Sequence, residues 1–471
     1  MKYKRGYFRH KKITVMGLGL LGRGVGDAAF FAEEGAELIV TDLKTKEELA
    51  SSVDELKGFV NIEFVLGKHR KRDFRNRDFI LKAAGVPLDS PYIEEARKNN
   101  VPVEMSASLF AALTPATVVG VTGTRGKSTV THLVYEILKA SPATSPIDQG
   151  EYGPNANESD MKIVSRGRQI FLGGNIRGVS TLRFLHNTKP GDIAVLELDS
   201  WQLQGFGERK ISPHIAVFTT FLPDHLNYYH GSLDAYLADK ANIFKFQKEG
   251  DFFVLGAQAS GVVLEKYGKE IAADLVAASG HDFPADWRIK IPGLHNRYNA
   301  ALALKTAELL NVGRNIIQKT IEDFTGVAGR LEFRREYNGV KIYNDTTATT
   351  PDATLAGVRA FGTSKNVVLI MGGADKGLAM GHLFVDMPNY VKAVVSIPGT
   401  GTDRIKKDFQ DLEKEGIAFS EAKDLKDAVL KALEVAKTGD NVILSPAFAS
   451  FGQFKNEFDR GEQFDQIVNE L

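Results

Sequence analysis

The sequence predicts an α/β protein of three domains, each built on a mostly parallel sheet. Three observations carry that expectation. Short apolar runs alternate with segments whose apolar residues recur at helical spacing. Two of these runs end in glycine-rich loops that open directly into a helical pattern. The length, 471 residues, corresponds to about three domains of ordinary size.

Composition narrows the function classes. Hydrophobic residues make up 43% and charged residues 25%, ordinary values for a soluble globular chain. Lys plus Arg equals Asp plus Glu at 59 each, so no global basic field exists to hold nucleic acid or an anionic membrane surface. Cysteine is absent, which excludes disulfides, thiolate nucleophiles and Cys-ligated zinc. No run approaches the ~20 apolar residues of a membrane span. The basic start (Lys2, Lys4, Arg5, Arg9, Lys11, Lys12) is followed by no signal-peptide core and reads as a solvated lead-in.

The first segment, 1–112, opens with a strand at Ile13–Met16 and the loop Gly17-Leu18-Gly19-Leu20-Leu21-Gly22. A second strand, Ala36–Val40, ends at Thr41-Asp42, with Asp42 twenty residues after Gly22. Glycine turn, helix, strand and acid form a dinucleotide-type fingerprint, a geometry that also holds any diphosphate joined to a ribose, a UDP-sugar included. Ala84-Gly85-Val86-Pro87 marks another loop at a strand end.

The second segment, 113–328, carries the strongest signal. The strand Thr117–Val121 leads into Thr122-Gly123-Thr124-Arg125-Gly126-Lys127-Ser128-Thr129, and Val130, Leu133, Val134, Ile137 and Leu138 follow at helical spacing. A loop between a buried strand and a helix N-terminus offers free amides and the positive end of the helix dipole to phosphate. Lys127 supplies charge for the outer phosphates and Ser128 reaches a Mg²⁺ ion, so ATP or GTP is the expected ligand. The strict Walker pattern wants glycine where Val121 stands. Residues 141–160, rich in Ser, Pro, Asn and Gly, read as a surface insertion. Strands at Ile193–Leu198 and Ile215–Thr219 follow. Glu197, ending the first, stands where α/β sheets collect ligands and is placed to hold Mg²⁺. Asp224-His225 ends the next strand and offers metal-binding or general-acid groups. Lys240 sits on the amphipathic segment Leu233–Lys240, and by itself reads as a solvated lysine. His295-Asn296-Arg297-Tyr298-Asn299 begins a helix after Pro292-Gly293; its asparagines read a base or cap the helix.

The third segment, 329–471, begins at Gly329-Arg330, where Arg330 could meet phosphate or an acid. Its strands are Val367–Met371, Ala393–Ile397 and Asn441–Leu444, separated by helical patterns such as Leu425, Val429, Leu433. Asn344-Asp345-Thr346-Thr347-Ala348-Thr349-Thr350-Pro351 is a hydroxyl-dense loop before a helix with Pro351 in its first turn.

These pieces, in this order, resemble the Mur ligases, on the branch that adds glutamate. The carriers are the Gly123–Thr129 loop, Gly173-Gly174-Asn175, Glu197 with Ser200-Trp201-Gln202, Asp224-His225, Tyr236 with Lys240, Gly293-Leu294-His295-Asn296 with Asn299, Arg330-Leu331-Glu332, Asn344-Asp345, Gly372–Gly377 and Leu444–Ala447 with Ala449-Ser450-Phe451. Their joint order over nearly the whole chain is specific. The resemblance implies a Rossmann-like UDP-binding domain, a central P-loop ATPase domain and a C-terminal Rossmann-like domain. It implies an ATP-dependent amide ligase joining D-glutamate to UDP-N-acetylmuramoyl-L-alanine through an acyl phosphate, in cytoplasmic peptidoglycan precursor synthesis, as a monomer. Gly17, Gly19, Leu20, Gly22, Asp42, Gly85, Asn175, Ser200 and Gln202 would then face the UDP substrate. The Gly123–Thr129 loop, Asn296, Asn299, Arg330 and Asp345 would hold ATP. Thr349, Lys376, Ser450 and Phe451 would hold glutamate. Two Mg²⁺ ions would use Ser128, Glu197, His225 and Lys240, with Lys240 carbamylated, which requires a depressed amine pKa. Where the family's loop reads Asp-Ser-Lys-Ala-Thr-Asn, Thr347 stands at the lysine position. A threonine-rich loop also marks an L-glutamate branch, so D- and L-glutamate both stay open, as does another Mur-type amide ligase. A folate-polyglutamating ligase conflicts with the Gly17-Leu18-Gly19 domain. A nicotinamide oxidoreductase fused to an ATPase is a further reading, which a nicotinamide fluorescence titration tests, and a silent nucleotide-binding module conflicts with Lys127, Glu197, His225 and Lys240 all being present.

Overall fold

A computed structural model describes residues 2–20, 22–141, 167–225 and 228–471. The insertion expected at 141–160 lies, from residue 142 on, outside the described residues. The chain forms two compact units, Met1–Asp282 with Asn299–Ile317, and Phe283–Tyr298 with Gln318–Leu471. Among the described residues no helix is long and apolar enough to cross a membrane.

Among the described residues the first unit holds two parallel sheets. Strands β1 (Lys12–Met16), β2 (Glu37–Asp42), β3 (Ile62–Leu66), β4 (Phe79–Lys82) and β5 (Val103–Glu104) lie in the order β3-β2-β1-β4-β5. Chain order reverses direction beside β1, so the carboxyl end of β1 opens at the switch point where ligands bind in such sheets. Phe8, Phe30, Phe31 and Phe79 pack edge to face under this sheet, the arrangement that aromatic quadrupoles favour.

The second sheet orders β6 (Thr117–Thr122), β7 (Ile170–Gly174), β8 (Ile193–Glu197), β9 (Ile215–Phe218), β10 (Phe252–Gly256) and β11 (Asp274–Ala278) as β11-β10-β9-β6-β8-β7. Register places Val121 and Gly174 on either side of Glu197, and Thr122 opposite Phe218. One carboxyl edge thus collects the ends of β6, β7, β8 and β9. The helix Lys127–Ala140 buries Val130, Leu133, Val134, Ile137 and Leu138. Each such side chain stabilises by roughly 1.5–3 kcal/mol, which holds the helix N-terminus at that edge.

The second unit has one mixed sheet. Strands β12 (Glu332–Tyr337), β13 (Val340–Asn344), β14 (Val367–Gly372), β15 (Val391–Ile397), β16 (Ala418–Glu421) and β17 (Asn441–Leu444) run β12-β13-β17-β14-β15-β16. Only β12 is antiparallel within it, joined to β13 through Asn338 (φ 51°) and Gly339 (φ 75°). Two left-handed residues of this type make the tight turn whose twist matches a hairpin. The buried β14 and β17 lie side by side at the centre.

Candidate active site

The phosphate loop leaves β6 at Gly123 (φ 142°), where a Cβ would fall 2.0 Å from Thr219 Oγ1. It enters the helix at Gly126 (φ 85°), where a Cβ would fall 2.4 Å from Asn299 Oδ1. Only glycine fits either place. The amides of Thr124 and Arg125 donate to Thr220 O (2.7 Å) and Thr220 Oγ1 (2.8 Å), which tie the loop to the end of β9. Thr124 Oγ1 donates to Leu222 O at 3.1 Å and lies 3.3 Å from the Tyr236 hydroxyl. The N-cap is glycine, which brings no side-chain acceptor to the first amides of the helix. Lys127 Nζ folds back over the loop and donates to Gly123 O (3.0 Å) and Thr124 O (3.1 Å). Ser128 is buried at the helix start and Thr129 is half-buried beside it.

Lys240 corrects the reading of a solvated lysine. It is only 1% exposed, and its Nζ donates to Gly123 O at 2.8 Å. The Tyr236 ring lies 4.8 Å from the same nitrogen. Burial pushes the ammonium well below its usual range, and the Lys127 charge adds to that push against the pull of Asp199, Asp224 and Asp239. The helix Leu233–Ala241 therefore delivers an amine with a strong bias toward its neutral form.

Glu197 ends β8 and is 3% exposed. Asn175 clasps it twice: its amide donates to Glu197 O at 2.7 Å, and its Nδ2 to Oε1 at 3.4 Å. His225 has positive φ (53°) and a half-exposed ring, with Trp201 at 4.9 Å and Tyr236 at 6.0 Å between centroids. Among the described residues no three Asp, Glu or His side chains converge as a metal cage. The Ser128 hydroxyl and the Glu197 carboxylate are oxygen donors of the kind Mg²⁺ takes beside substrate phosphates.

The loop after β1 behaves differently. Gly17 (φ 96°) faces the Ala83 Cβ, and Gly22 (φ 81°) faces Gly178 Cα, 2.8 Å and 3.3 Å from where their own Cβ atoms would stand. The Asp42 carboxylate accepts the amides of Leu18 (2.9 Å), Gly19 (3.0 Å) and Lys44 (3.0 Å). It anchors the loop at the end of β1. Leu20 is exposed at the loop tip and Gly85 is exposed on the loop after β4. Ser200 and Gln202 are buried at the start of the helix Ser200–Arg209, where Gln202 is engaged in a capping box with Asp199.

In the second unit Asn296 Nδ2 donates to Pro292 O at 2.7 Å. Arg330 follows Gly329 (φ 68°), whose amide donates to Glu332 Oε2. Asp345 ends at the edge of β13 and accepts Leu331 N (3.0 Å) and Ser445 Oγ (2.7 Å). Burial pushes its carboxyl up to about 7. Thr347 Oγ1 donates to Gly329 O, so this side chain closes the loop onto Gly329. Cations reach the same loop from elsewhere. Lys376 Nζ donates to Thr349 O and Oγ1 (3.1 and 2.8 Å), and the fully buried Arg460 donates to Thr346 O and Oγ1 (2.9 and 3.1 Å). Ala374 pairs with Ala449, which brings the Gly372–Gly377 loop beside the segment of buried Ser450 and exposed Phe451.

Sequence reasoning missed Arg460, Lys82 and Arg23. Lys82, buried at the end of β4, donates to Ala83 O, Ala84 O and Val86 O (3.3, 3.3 and 2.8 Å), and burial lowers its amine to about 8. A lysine ending an apolar strand before Ala-Ala-Gly was the available signal. Arg460 carries none, since its helix reads as charged and solvated.

Comparison with known proteins extends this picture over the whole chain. Residues 11–104 match the MurD-like N-terminal domain of Mur ligases, residues 121–307 the Mur ligase middle domain, and residues 329–448 the Mur ligase glutamate ligase domain. A ligase of Roseiflexus sp., named UDP-N-acetylmuramoylalanine--D-glutamate ligase, is 35% identical, with 97% of this chain and 98% of that protein covered. One of the same name from Borreliella burgdorferi is 34% identical, with 98% of each covered. Among solved structures, the UDP-N-acetylmuramate-alanine ligase of Thermotoga maritima shares the fold at TM-score 0.56 and 19% identity, covering 98% of this chain and all of that one. The MurF ligase of the same organism, in complex with ADP, does so at TM-score 0.54 and 16% identity, covering 99% and 97%. The glycine loops, the carboxylate edge between them and the hydroxyl-rich loop of the second unit are thus parts of one known architecture, and this chain belongs to the Mur ligase family.

Proposed function

We propose that the chain is an ATP-dependent ligase that joins D-glutamate to the alanyl carboxylate of UDP-N-acetylmuramoyl-L-alanine, a cytoplasmic step of peptidoglycan precursor synthesis carried out by a monomer. The observation that carries this reading is kinship along nearly the full chain with ligases named for that reaction. The phosphate loop, with Lys127 above it and Lys240 beneath, agrees with it. We assign residues 1–112 to the UDP substrate, 113–328 to ATP and 329–471 to glutamate.

In the first step a carboxylate oxygen of the substrate attacks the γ-phosphorus of ATP, and ADP leaves an acyl phosphate. In the second the glutamate nitrogen attacks the acyl carbon, phosphate leaves, and the nitrogen gives up a proton. Both steps demand charge neutralisation and positioning more than acid–base chemistry. Lys127 and the amides at the start of its helix hold the β- and γ-phosphates. Asn296, Asn299, Arg330 and Asp345 hold the rest of the nucleotide. Ser128, Glu197, His225 and Lys240 would hold two Mg²⁺ ions, which would supply charge neutralisation at the phosphoryl oxygens. Lys240 serves as a carbamate: its neutral nitrogen bonds to CO₂, loses a proton and presents anionic oxygens. Lys376, Thr349, Ser450 and Phe451 hold glutamate.

The test is phosphate release from Mg-ATP with UDP-N-acetylmuramoyl-L-alanine and either D- or L-glutamate. Release with D-glutamate alone supports the proposal. Release with L-glutamate alone moves the chain to the reading that Thr347 favours. Release with neither overturns both.

A further inference from the structure

Arg23 is the first residue of the helix Arg23–Glu33, directly after the glycine loop of β1. It is half-buried and points across to the turn after β7, where its Nη2 donates to Asn175 Oδ1 at 3.0 Å. The other end of that amide, Nδ2, donates to Glu197 Oε1 at 3.4 Å. The two glycine-lined turns touch here, since a Cβ on Gly22 would lie 3.3 Å from Gly178 Cα. Asp27, one turn further along the helix, is held by Ser106 and Ser180 hydroxyls and leaves the guanidinium to Asn175.

An asparagine amide has one accepting and one donating end, and reversal exchanges them. Reversed, Asn175 would set its NH₂ against the guanidinium and its oxygen against the Glu197 carboxylate, two repulsive contacts in place of two attractive ones. A charged donor on Oδ1 therefore decides which way the amide faces.

We infer that Arg23 is a positioning residue of the ligase site: it fixes which way the Asn175 amide faces, and so how Asn175 meets the muramoyl-alanine substrate while its other end holds Glu197. The inference rests on the proposed function. It links the loop at the end of β1 to the carboxylate at the end of β8 through a single side chain.

The experiment is calorimetric titration of the full chain with UDP-N-acetylmuramoyl-L-alanine, alongside melting curves. Arg23→Met keeps the length and removes the donor; its Kd rises about tenfold. Arg23→Lys restores a donor and stays within about threefold of the original chain. Arg183→Ala breaks the Arg183–Glu33 ion pair between the same helix and the 182–186 segment, and leaves Kd unchanged. Because Arg23 acts through Asn175, adding Arg23→Met to Asn175→Ala costs no further affinity. Unchanged binding by Arg23→Met overturns the inference. So does a full tenfold loss on top of Asn175→Ala, or an equal loss in Arg183→Ala. Should Arg23→Met fail to fold, Asn175→Asp replaces it, since it sets a carboxylate against Glu197 as the reversed amide does; unchanged binding there overturns the inference too. If the original chain binds no UDP-N-acetylmuramoyl-L-alanine, the proposed function fails instead.

Discussion

The loops after β1 and β6 share a plan and differ in charge. Each leaves a central parallel strand, each enters its helix through a left-handed glycine, Gly22 at φ 81° and Gly126 at φ 85°, and each closes against a neighbouring segment. The first is filled by an anion of the protein itself: Asp42 takes the amides of Leu18 and Gly19. The second is surrounded by cations: Lys127 above and Lys240 below both donate to Gly123 O. A loop whose amides already hold a carboxylate recognises its ligand by close backbone approach. A loop with amine groups on its carbonyls is built for concentrated negative charge. Backbone geometry alone does not distinguish the two loops; the side chains packed on them do.

The comparison breaks first at Lys127. Lys127→Ala removes the cation that moves from loop carbonyls to phosphate, and ATP-dependent turnover falls by about a thousandfold or more. Circular dichroism and the melting temperature stay near those of the original chain, because the half-exposed amine supports no core. An active Lys127→Ala would mean the loop does not work through its charge. Lys240→Ala comes next, with a loss of about a hundredfold or more. Short-chain carboxylates restore part of the activity by standing in for the carbamate. Lys240→Arg, which cannot add CO₂, is equally inactive, and ¹³C-labelled CO₂ gives a carbamate signal in the original chain alone. Full activity in Lys240→Ala removes the carbamate from the mechanism.

Glycine substitutions sharpen the contrast with smaller effects. Gly126→Ala drives a Cβ to 2.4 Å from Asn299 Oδ1 at a positive φ, so the Asn299 side chain or the loop must shift, and the KM for ATP rises about thirtyfold. Gly22→Ala meets Gly178 Cα at 3.3 Å, where a shift of a few tenths of an ångström suffices. Its KM for the UDP substrate rises about fivefold, and its KM for ATP does not change. Equal effects on both substrates would show that the two loops are not separate ligand sites.

Much of this was legible because it is local. The strand–glycine–helix units, Glu197 at a strand end and the helix of Lys240 follow from patterns spanning fewer than twenty residues. What was not legible depends on partners far along the chain. Lys240 read as a solvated lysine because the carbonyl that takes its proton belongs to Gly123, 117 residues earlier. Nothing in the strand of Asp42 reveals that Leu18 and Gly19 turn their amides onto its carboxylate. The strand Glu332–Tyr337 is four-sixths charged and hides its period, although Asn338-Gly339 announces its hairpin. Thr347 stands at the family's lysine position, and only the fold shows that Lys376 and Arg460, distant in sequence, bring cations to the same loop.

The helices behind the two loops differ as well, and this difference is open to pH. The helix after the first loop buries Asp27, where the second buries Thr131. Burial raises the Asp27 carboxyl from 3.8 to about 6, against the Ser180 and Ser106 hydroxyls and the Arg23 charge, which favour ionisation. A carboxyl raised in the folded state binds its proton more tightly there than in the unfolded chain. Its ionisation therefore withdraws stability as pH climbs from about 4 to about 6, and the loss is complete above that window, about 3 kcal/mol at most. Asp27→Asn keeps an acceptor for both serine hydroxyls and has nothing to ionise. It melts about 2–4 °C higher than the original chain at pH 7.5. The gap narrows as pH falls and closes near pH 4, where Asp27 is protonated in both states. A gap that is constant with pH would assign the gain to packing, and no gap at pH 7.5 would mean that the carboxylate is satisfied where it lies.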